Sequence, residues 1–458
     1  MQNTTLFRRM AALLLTVVLA VSAALPGLAV YEMPIQTANE GESVYLFNAD
    51  IDKPILDQNA GQQRYIASLT KMMTALLFLE SGKDLNEEIT IPTSLTQEFK
   101  DIQNANGSTM NLRIGETVRR IDLLYGLLVA SANDAASVIA NDVAGSLPNF
   151  VAMMNQKAQE LGCTSTSFTC VHGLYDYGNV SSARDLALIA SACAANETYM
   201  KVANTLSYTL PATNLHQKER SITSTNLMLN PEYPYYRDYI RGMKTGFTTL
   251  AGRCYVTFAQ KNGHTYGLVI LGSDLDNIYK EASELLDWAF ASFADRRLVD
   301  TTTPLTTVPL TKCRSAGAVE LYAAEPVSGY GHADDKVTYS FALPERVSAT
   351  VKADAVLGQA TVYRLRSRHR RPCDPSGIRI GLPHRPQEHP APDGRTRAPP
   401  RGSELCHPRL RRQLPEPEPQ AESQSKIRTM QKQPQCGCFC FFRTSGTSPP
   451  APTARSWG

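Results

Sequence analysis

Three short motifs, far apart in the chain, restrict the folds that this sequence can adopt. They are S-L-T-K at residues 68–71, S-A-N at residues 131–133 and K-T-G at residues 244–246. Each occurs by chance in many proteins, but all three in this order are typical of a serine acyl-transfer site with a lysine base. Such a site forms only where the fold brings the three motifs into one cleft.

Length and charge set the outer limits. A chain of 458 residues with a hydrophobic fraction of 43% is long enough for two or three domains with sizeable cores. Residues 364–458 hold 18 Lys and Arg against 7 Asp and Glu, whereas the rest of the chain holds 28 against 36. The acidic body argues against nucleic acid as a partner.

The N-terminus is typical of a secretory signal. Arg8 and Arg9 precede an apolar run over residues 11–25, and small residues follow it. We expect a signal peptide over residues 1–29, cleaved after Ala29, and therefore an exported protein that acts outside the cytoplasmic membrane. A retained membrane anchor is the alternative, but the run is short for a bilayer span.

The ten cysteines do not form the pattern of a disulfide framework. Cys163 and Cys170 are close enough to pair across a loop, but the scattered spacing favours free thiols. Cys436, Cys438 and Cys440 lack the C-x-x-C spacing of a zinc site. We expect neither a metal nor another cofactor.

Apolar periodicity predicts a helical cluster against an antiparallel sheet, class α+β, over residues 30–298. The first predicted helix begins at Ser68. Others cover residues 121–128, 134–143, 150–161 and 281–293, and a further helix runs to residue 192 from a cap at Ser181 or Ser182. The predicted strands cover residues 44–50, 53–56, 246–259, which begins near K-T-G, and 265–272, with a hairpin turn at Asn262 and Gly263.

Two further regions follow this domain. Short β segments at residues 306–310, 319–322, 337–343 and 360–363 predict a small β domain over residues 299–363 that stops before it is complete. Residues 364–458 hold 16 of the 28 prolines, so we expect a disordered tail. The tail is either a natural basic arm or an out-of-frame product, and the break inside a strand pattern favours the second.

The first motif can activate a serine. Ser68 and Lys71 are three residues apart on a predicted helix, so their side chains can touch. A lysine acts as a base only when neutral, which requires burial or a neighbouring cation to lower its pKa. Lys244 can be that cation if it reaches the same cleft. The simpler alternative is an N-capping serine beside a solvated lysine.

The other motifs fit the same chemistry. Ser131 can relay a proton to a leaving amine, and Asn133 can hold a substrate carbonyl, although either residue can simply cap the next helix. Lys244 and Thr245 suit a carboxylate, and Gly246 lets a substrate backbone lie along the strand edge. The histidines at positions 172, 216 and 264 have no partners that indicate a Ser-His-Asp triad.

With their surroundings, these motifs resemble the serine-type D-alanyl-D-alanine carboxypeptidases, which are low-molecular-mass penicillin-binding proteins. The likeness covers residues 44–363 and includes G-S-T-M at 107–110, L-L-Y-G-L-L at 123–128 and S-A-R-D-L-A at 182–187. It implies a β-lactamase/transpeptidase-like fold, a peptidoglycan stem peptide as substrate and β-lactam antibiotics as ligands. Members usually add a C-terminal membrane-surface helix. None is visible in this sequence, so membrane attachment stays open.

The resemblance also implies a role for each residue. Ser68 would be the acylated nucleophile, Lys71 its general base, Ser131 the proton donor to the departing D-alanine and Asn133 a holder of the substrate peptide. Lys244 and Thr245 would bind the terminal carboxylate, and the backbone N–H groups of Ser68 and Phe247 would form the oxyanion hole. Rival hypotheses are a class A β-lactamase, whose E-x-x-L-N segment is missing here, a D,D-endopeptidase and a non-catalytic wall-binding protein.

Overall fold

A computed structural model describes residues 31–174, 178–312, 317–348, 350, 352, 355–365 and 376–381. The predicted signal peptide, the C-x-C-x-C segment and most of the predicted tail lie outside the described residues. Within these ranges, no helix combines the length and the hydropathy needed to cross a bilayer.

The α-helices of the described ranges lie mainly between residues 71 and 203. They are α1 (Lys71–Glu80), α2 (Thr96–Asn104), α3 (Arg120–Leu128), α4 (Asn133–Ala144), α5 (Leu147–Glu160), α6 (Ala183–Ala194), α7 (Glu197–Ala203) and α8 (Ile278–Ser292). Short 3-10 turns cover Ala67–Thr70, Thr93–Leu95 and Leu227–Leu229.

The strands fall into a first group before α8 and a second group after it. The first group is β1 (Ser43–Asn48), β2 (Lys53–Gln58), β3 (Arg64–Tyr65), β4 (Glu88–Thr90), β5 (Thr117–Arg119), β6 (Val180–Ser181), β7 (Ser207–Leu210), β8 (Arg220–Thr223), β9 (Ile240–Thr248), β10 (Gly252–Lys261) and β11 (His264–Ser273). The second group is β12 (Phe293–Val299), β13 (Thr306–Thr311), β14 (Ala318–Ala323), β15 (Val327–His332), β16 (Lys336–Ala342), β17 (Val347–Ser348), β18 (Val356–Leu365) and β19 (Ser376–Gly381).

A five-stranded antiparallel sheet in the order β2-β1-β11-β10-β9 forms the centre of the first group. Helices cover both of its faces, and successive side chains along a strand alternate between the two faces. Leu268 and Ile270 belong to an apolar cluster with α8, whereas Val269 and Leu271 belong to the cluster built around the other helices. The α+β arrangement of helices against an antiparallel sheet is therefore confirmed.

Most predicted elements are present, with shifted ends. Each helix predicted from apolar periodicity is found, and Ser182 caps α6 by accepting a hydrogen bond from the N–H of Asp185. The helix predicted over residues 281–293 ends at Ser292, because Phe293 opens β12. The cysteines that the structure describes, Cys163, Cys170, Cys193 and Cys254, are free thiols, as the spacing favoured.

The prediction of one strand over residues 246–259 is wrong. The chain turns at residues 249–251 and forms two strands, so K-T-G lies in the second half of β9 and does not begin a strand. Gly252 permits the return, since its φ is +67° and a Cβ there would lie 2.9 Å from the carbonyl oxygen of Ser273.

Six of the strands after α8 form a sheet in the order β16-β18-β19-β14-β13-β17, and the other two, β12 and β15, pair with each other. Strand β19 lies beyond residue 363, where the small β domain was expected to stop, and pairs with β18 and β14, whereas the disorder expected of the tail stays a prediction. The alternation of Ile378 and Ile380 in S-G-I-R-I-G has the period of a strand, which the proline-rich surroundings concealed. The domain boundary placed between residues 298 and 299 falls within β12 and stays a prediction.

Candidate active site

Ser68 and Lys71 meet where a 3-10 turn runs into α1. The turn Ala67–Thr70 carries Ser68, and Lys71 is the first residue of the α-helix. Ala67 has a φ of +47°, a left-handed conformation that non-glycine residues rarely adopt. The local backbone is therefore held by its surroundings rather than by its own preference, which is common at functional sites.

The amine of Lys71 is enclosed by three oxygen atoms. Its Nζ lies 2.9 Å from Ser68 Oγ, 2.6 Å from Asn133 Oδ1 and 2.7 Å from the carbonyl oxygen of His172, and the side chain is fully buried. Burial, followed by the positive charge of Lys244, holds the pKa of Lys71 well below its usual value. Burial and a neighbouring Lys244 are the two causes that the sequence analysis considered for a lowered pKa of Lys71.

This geometry orients a neutral amine toward the serine. The amide oxygen of Asn133 and the carbonyl of His172 can only accept hydrogen bonds, so they take the two N–H bonds of a neutral Lys71. The remaining lone pair then faces the hydroxyl of Ser68, which can donate to it. The arrangement fits proton transfer from Ser68 Oγ to Lys71 Nζ.

Ser131 and Lys244 form a second hydroxyl–amine pair. Ser131 lies between α3 and α4 with a φ of +57°, and Lys244 Nζ donates to its Oγ at 2.9 Å and to the carbonyl of Thr245 at 2.8 Å. Burial lowers the pKa of Lys244 to about 7. This lysine can therefore gain or lose a proton near neutral pH.

Strand β9 closes the site through its main chain. A Cβ on Gly246 would lie 3.2 Å from the backbone nitrogen of Ser68 and 3.0 Å from the carbonyl oxygen of Ile66, so a side chain there would crowd the nucleophile turn. Thr245 Oγ1 lies 2.6 Å from Thr225 Oγ1, and Phe247 is 55% exposed. The three motifs thus converge, although they are far apart in sequence.

The cleft between these elements has a volume of about 280 Å³. Ser68, Ser131, Asn133, Thr245, Gly246 and Phe247 line it, and the side-chain nitrogens of Lys71 and Lys244 lie behind the two serines. Each residue proposed from the sequence is therefore at the cleft or in contact with a residue that lines it.

Sequence reasoning missed the support of the Lys71 site by His172 and Glu98. His172 Nδ1 accepts the N–H of Leu174 at 3.0 Å, and its Nε2 lies 3.0 Å from Glu98 Oε1 on α2. A hydrogen bond from His172 lowers the pKa of Glu98. These contacts fix the loop whose carbonyl binds Lys71, and the H-G-L segment at residues 172–174 was the available signal.

A comparison with known families agrees with this geometry. The sequence model described as D-alanyl-D-alanine carboxypeptidase matches residues 32–275, which is more than half of the chain. The chain belongs to this family. It is therefore a serine-type carboxypeptidase, a hydrolase, and the fold and enzyme class implied by the resemblance are confirmed.

Individual relatives support the assignment. The carboxypeptidase DacF of Bacillus subtilis is 28% identical over 327 residues, covering 70% of this chain and 81% of DacF. A D-alanyl-D-alanine endopeptidase of Escherichia coli is 31% identical over 258 residues, covering 54% of this chain and 76% of the relative. The crystal structure of penicillin-binding protein 5 from Haemophilus influenzae is 25% identical, with a TM-score of 0.55, and covers 77% and 99% of the two chains.

Proposed function

We propose that this carboxypeptidase is exported and removes the terminal D-alanine from peptidoglycan stem pentapeptides through an acyl-enzyme on Ser68. We propose further that β-lactam antibiotics acylate the same hydroxyl. The observation that carries the proposal is the buried amine of Lys71, 2.9 Å from Ser68 Oγ. Export is supported by the arginines and the apolar run at the N-terminus.

Acylation begins with a neutral Lys71. Its lone pair takes the proton of Ser68, and Oγ attacks the carbonyl carbon between the last two D-alanines. The negative charge on the carbonyl oxygen is stabilised by the N–H groups of Ser68 and Phe247, each of which contributes about 3–4 kcal/mol in comparable hydrolases. The close approach of Gly246 to the nitrogen of Ser68 supports this assignment, because Phe247 follows directly.

Departure of D-alanine requires a proton on its nitrogen. Ser131 donates its hydroxyl proton to the leaving amine and is reprotonated from the Lys244 ammonium, whose Nζ lies 2.9 Å away. Before deacylation, the ammonium of Lys71 gives up its proton and Lys244 takes one up through the water in the cleft, so both lysines return to their starting states. A water molecule then attacks the ester, neutral Lys71 takes a proton from that water, and Lys71 passes the proton to Ser68 Oγ as it leaves. Asn133 orients Lys71 through the contact at 2.6 Å, and its position in the lining of the cleft supports a role in holding the substrate amide.

The test is D-alanine release from a diacetyl-Lys-D-Ala-D-Ala peptide, with mass spectrometry after incubation with benzylpenicillin. The wild type should release D-alanine and gain the mass of one penicillin, and Ser68→Ala should do neither. Ser207→Ala, which removes an exposed hydroxyl on β7, is the matched control and should do both. A penicillin adduct on Ser68→Ala would show that the nucleophile is misassigned, and wall binding without either activity would favour a non-catalytic role.

A D,D-endopeptidase activity is the second candidate, because a relative that is 31% identical carries that name. The same cleft would then hydrolyse the bond between the D-alanine of one stem peptide and the amine of another. Incubation with purified cross-linked muropeptide dimers separates the two activities. Release of monomers faster than release of free D-alanine would favour the endopeptidase.

A further inference from the structure

The cleft has an asymmetric distribution of charge. Among the side chains that line it in the described part of the chain, Arg253 is the one that carries a permanent charge. Lys71 and Lys244 are buried behind the serines, and burial lowers the pKa of Lys244 to about 7. Above neutral pH, therefore, a negatively charged group that enters the cleft meets the guanidinium of Arg253 as its fixed cation.

Lys244 is poorly placed to bind a carboxylate. Its side chain is 1% exposed, and its Nζ already donates to Ser131 Oγ and to the carbonyl of Thr245. Two of the three N–H groups of its ammonium are therefore engaged, and Lys244 is not among the residues that line the cleft, so a carboxylate in the cleft has little access to it. The expectation that Lys244 supplies the positive charge for the substrate carboxylate therefore lacks geometric support.

Arg253 is held in a position that leaves donors free. It lies directly across from Phe247 in the pairing of β10 with β9, and its Cζ lies 4.3 Å from the centre of the Phe247 ring. Stacking on an aromatic ring fixes the plane of a guanidinium while its edge stays available for hydrogen bonds. Within the described part of the chain, no carboxylate pairs with Arg253, and its buried Nε has no hydrogen-bond partner.

These observations fit a carboxylate ligand. A guanidinium presents parallel N–H groups that match the two oxygens of a carboxylate, and a buried donor without a partner requires an explanation. Thr245, whose hydroxyl lies 2.6 Å from that of Thr225, lines the same cleft and can add a neutral hydrogen bond. We propose that Arg253 is a specificity-determining residue that binds the C-terminal carboxylate of the substrate peptide, while Lys244 serves the proton transfer at Ser131.

This inference rests on the proposed function, because it concerns the substrate of that reaction. The test compares two peptides, diacetyl-Lys-D-Ala-D-Ala with a free carboxylate and the same peptide with a C-terminal amide. Wild-type enzyme should prefer the acid. Arg253→Gln should lower kcat/KM for the acid by about 10- to 100-fold, the usual cost of a lost charge-assisted hydrogen bond, and leave the amide nearly unchanged. Arg253→Lys should restore part of the preference.

The matched control is Lys261→Gln, which removes one positive charge from an exposed position at the other end of β10. It should keep the wild-type preference for the acid. An Arg253→Gln enzyme that loses the acid and amide activities equally, or neither of them, would overturn the role of Arg253 and leave the proposed function intact. A wild-type enzyme that neither releases D-alanine nor reacts with benzylpenicillin would overturn both.

Discussion

A buried pair of carboxyl groups should make the stability of this protein depend on pH. Glu42 precedes β1 and is fully buried, and neither of its carboxyl oxygens has a donor among the described residues. The neighbouring Glu281 on α8 accepts from the N–H of Ala38 at 2.7 Å and from Ser273 Oγ at 2.8 Å. Burial, with the charge of Glu281 adding to it, raises the pKa of Glu42 from 4.5 to about 7.

Arginine does not neutralise this carboxyl group. Arg64 donates to the carbonyl of Gly41 and to Ser43 Oγ, on either side of Glu42 in the chain, and not to the carboxylate itself. Glu42 therefore keeps its proton at a pH where an exposed glutamate would lose it. The neutral form can share that proton with Glu281.

The sign of the effect follows from the raised pKa. Below about pH 4.5 the group is protonated in both the folded and the unfolded chain, so its contribution to stability is fully present. Between pH 4.5 and 7 the unfolded chain loses the proton and the folded chain keeps it, so the free energy of unfolding falls as pH rises. The separation of the two pKa values corresponds to a loss of about 3 kcal/mol by pH 8.

Glu42→Gln should remove this dependence, because an amide stays neutral throughout. In urea unfolding between pH 5 and pH 8.5, the free energy of unfolding of the variant should rise by about 3 kcal/mol relative to that of wild type as pH rises. Glu284→Gln, an exposed change on α8, is the control, and its free energy of unfolding should differ from that of wild type by a small amount that does not change with pH. If the difference between Glu42→Gln and wild type changes by less than about 1 kcal/mol over this range, the assignment of a raised pKa to Glu42 is wrong.

Two further predictions concern the active site. Lys71→Ala should slow the reaction of Ser68 with fluorescent penicillin by about 10²- to 10⁴-fold, measured by stopped flow, because the general base is lost. Lys201→Ala, an exposed change on α7, should react at the wild-type rate, and normal acylation of Lys71→Ala would rule out the lysine-base mechanism. In urea, Gly173→Ala should have a free energy of unfolding about 1–3 kcal/mol lower than that of Gly82→Ala. Both glycines have a positive φ, but only at Gly173 would a Cβ collide with the carbonyl oxygen of Ala67, at 1.8 Å, whereas nothing lies within 4 Å at Gly82. Equal losses in the two variants would show that the contact with Ala67 relaxes without cost.

Sequence patterns predicted the elements with strong apolar periodicity and left out those without it. Helix α2 was missed because Ile102 is its one buried residue, so its nine residues carry no apolar stripe. The division between β9 and β10 was missed because apolar residues continue across the turn at residues 249–251. Periodicity measures burial, and it says little where an element is exposed or where a turn is apolar.

The site was predicted where it depends on side chains in motifs and missed where it depends on the main chain or on cross-strand neighbours. Lys71 is bound by a main-chain carbonyl, which every residue type has, so the H-G-L segment marks the loop but does not indicate the contact of His172 with Lys71. Arg253 stands beside Phe247 through the register of two strands, which a single sequence does not contain. Pairing and loop conformation are tertiary information.

The positive φ angles of Ala67 and Ser131 set two kinds of selection against each other. Glycine or asparagine would fit these left-handed positions at a lower conformational cost. A population selected only for resistance to heat would therefore drift toward such residues, and at position 131 that drift would discard the hydroxyl which Lys244 contacts. The most thermostable descendants of this enzyme would then be poor catalysts. Homologues should therefore retain non-glycine residues in the left-handed conformation wherever turnover is under selection.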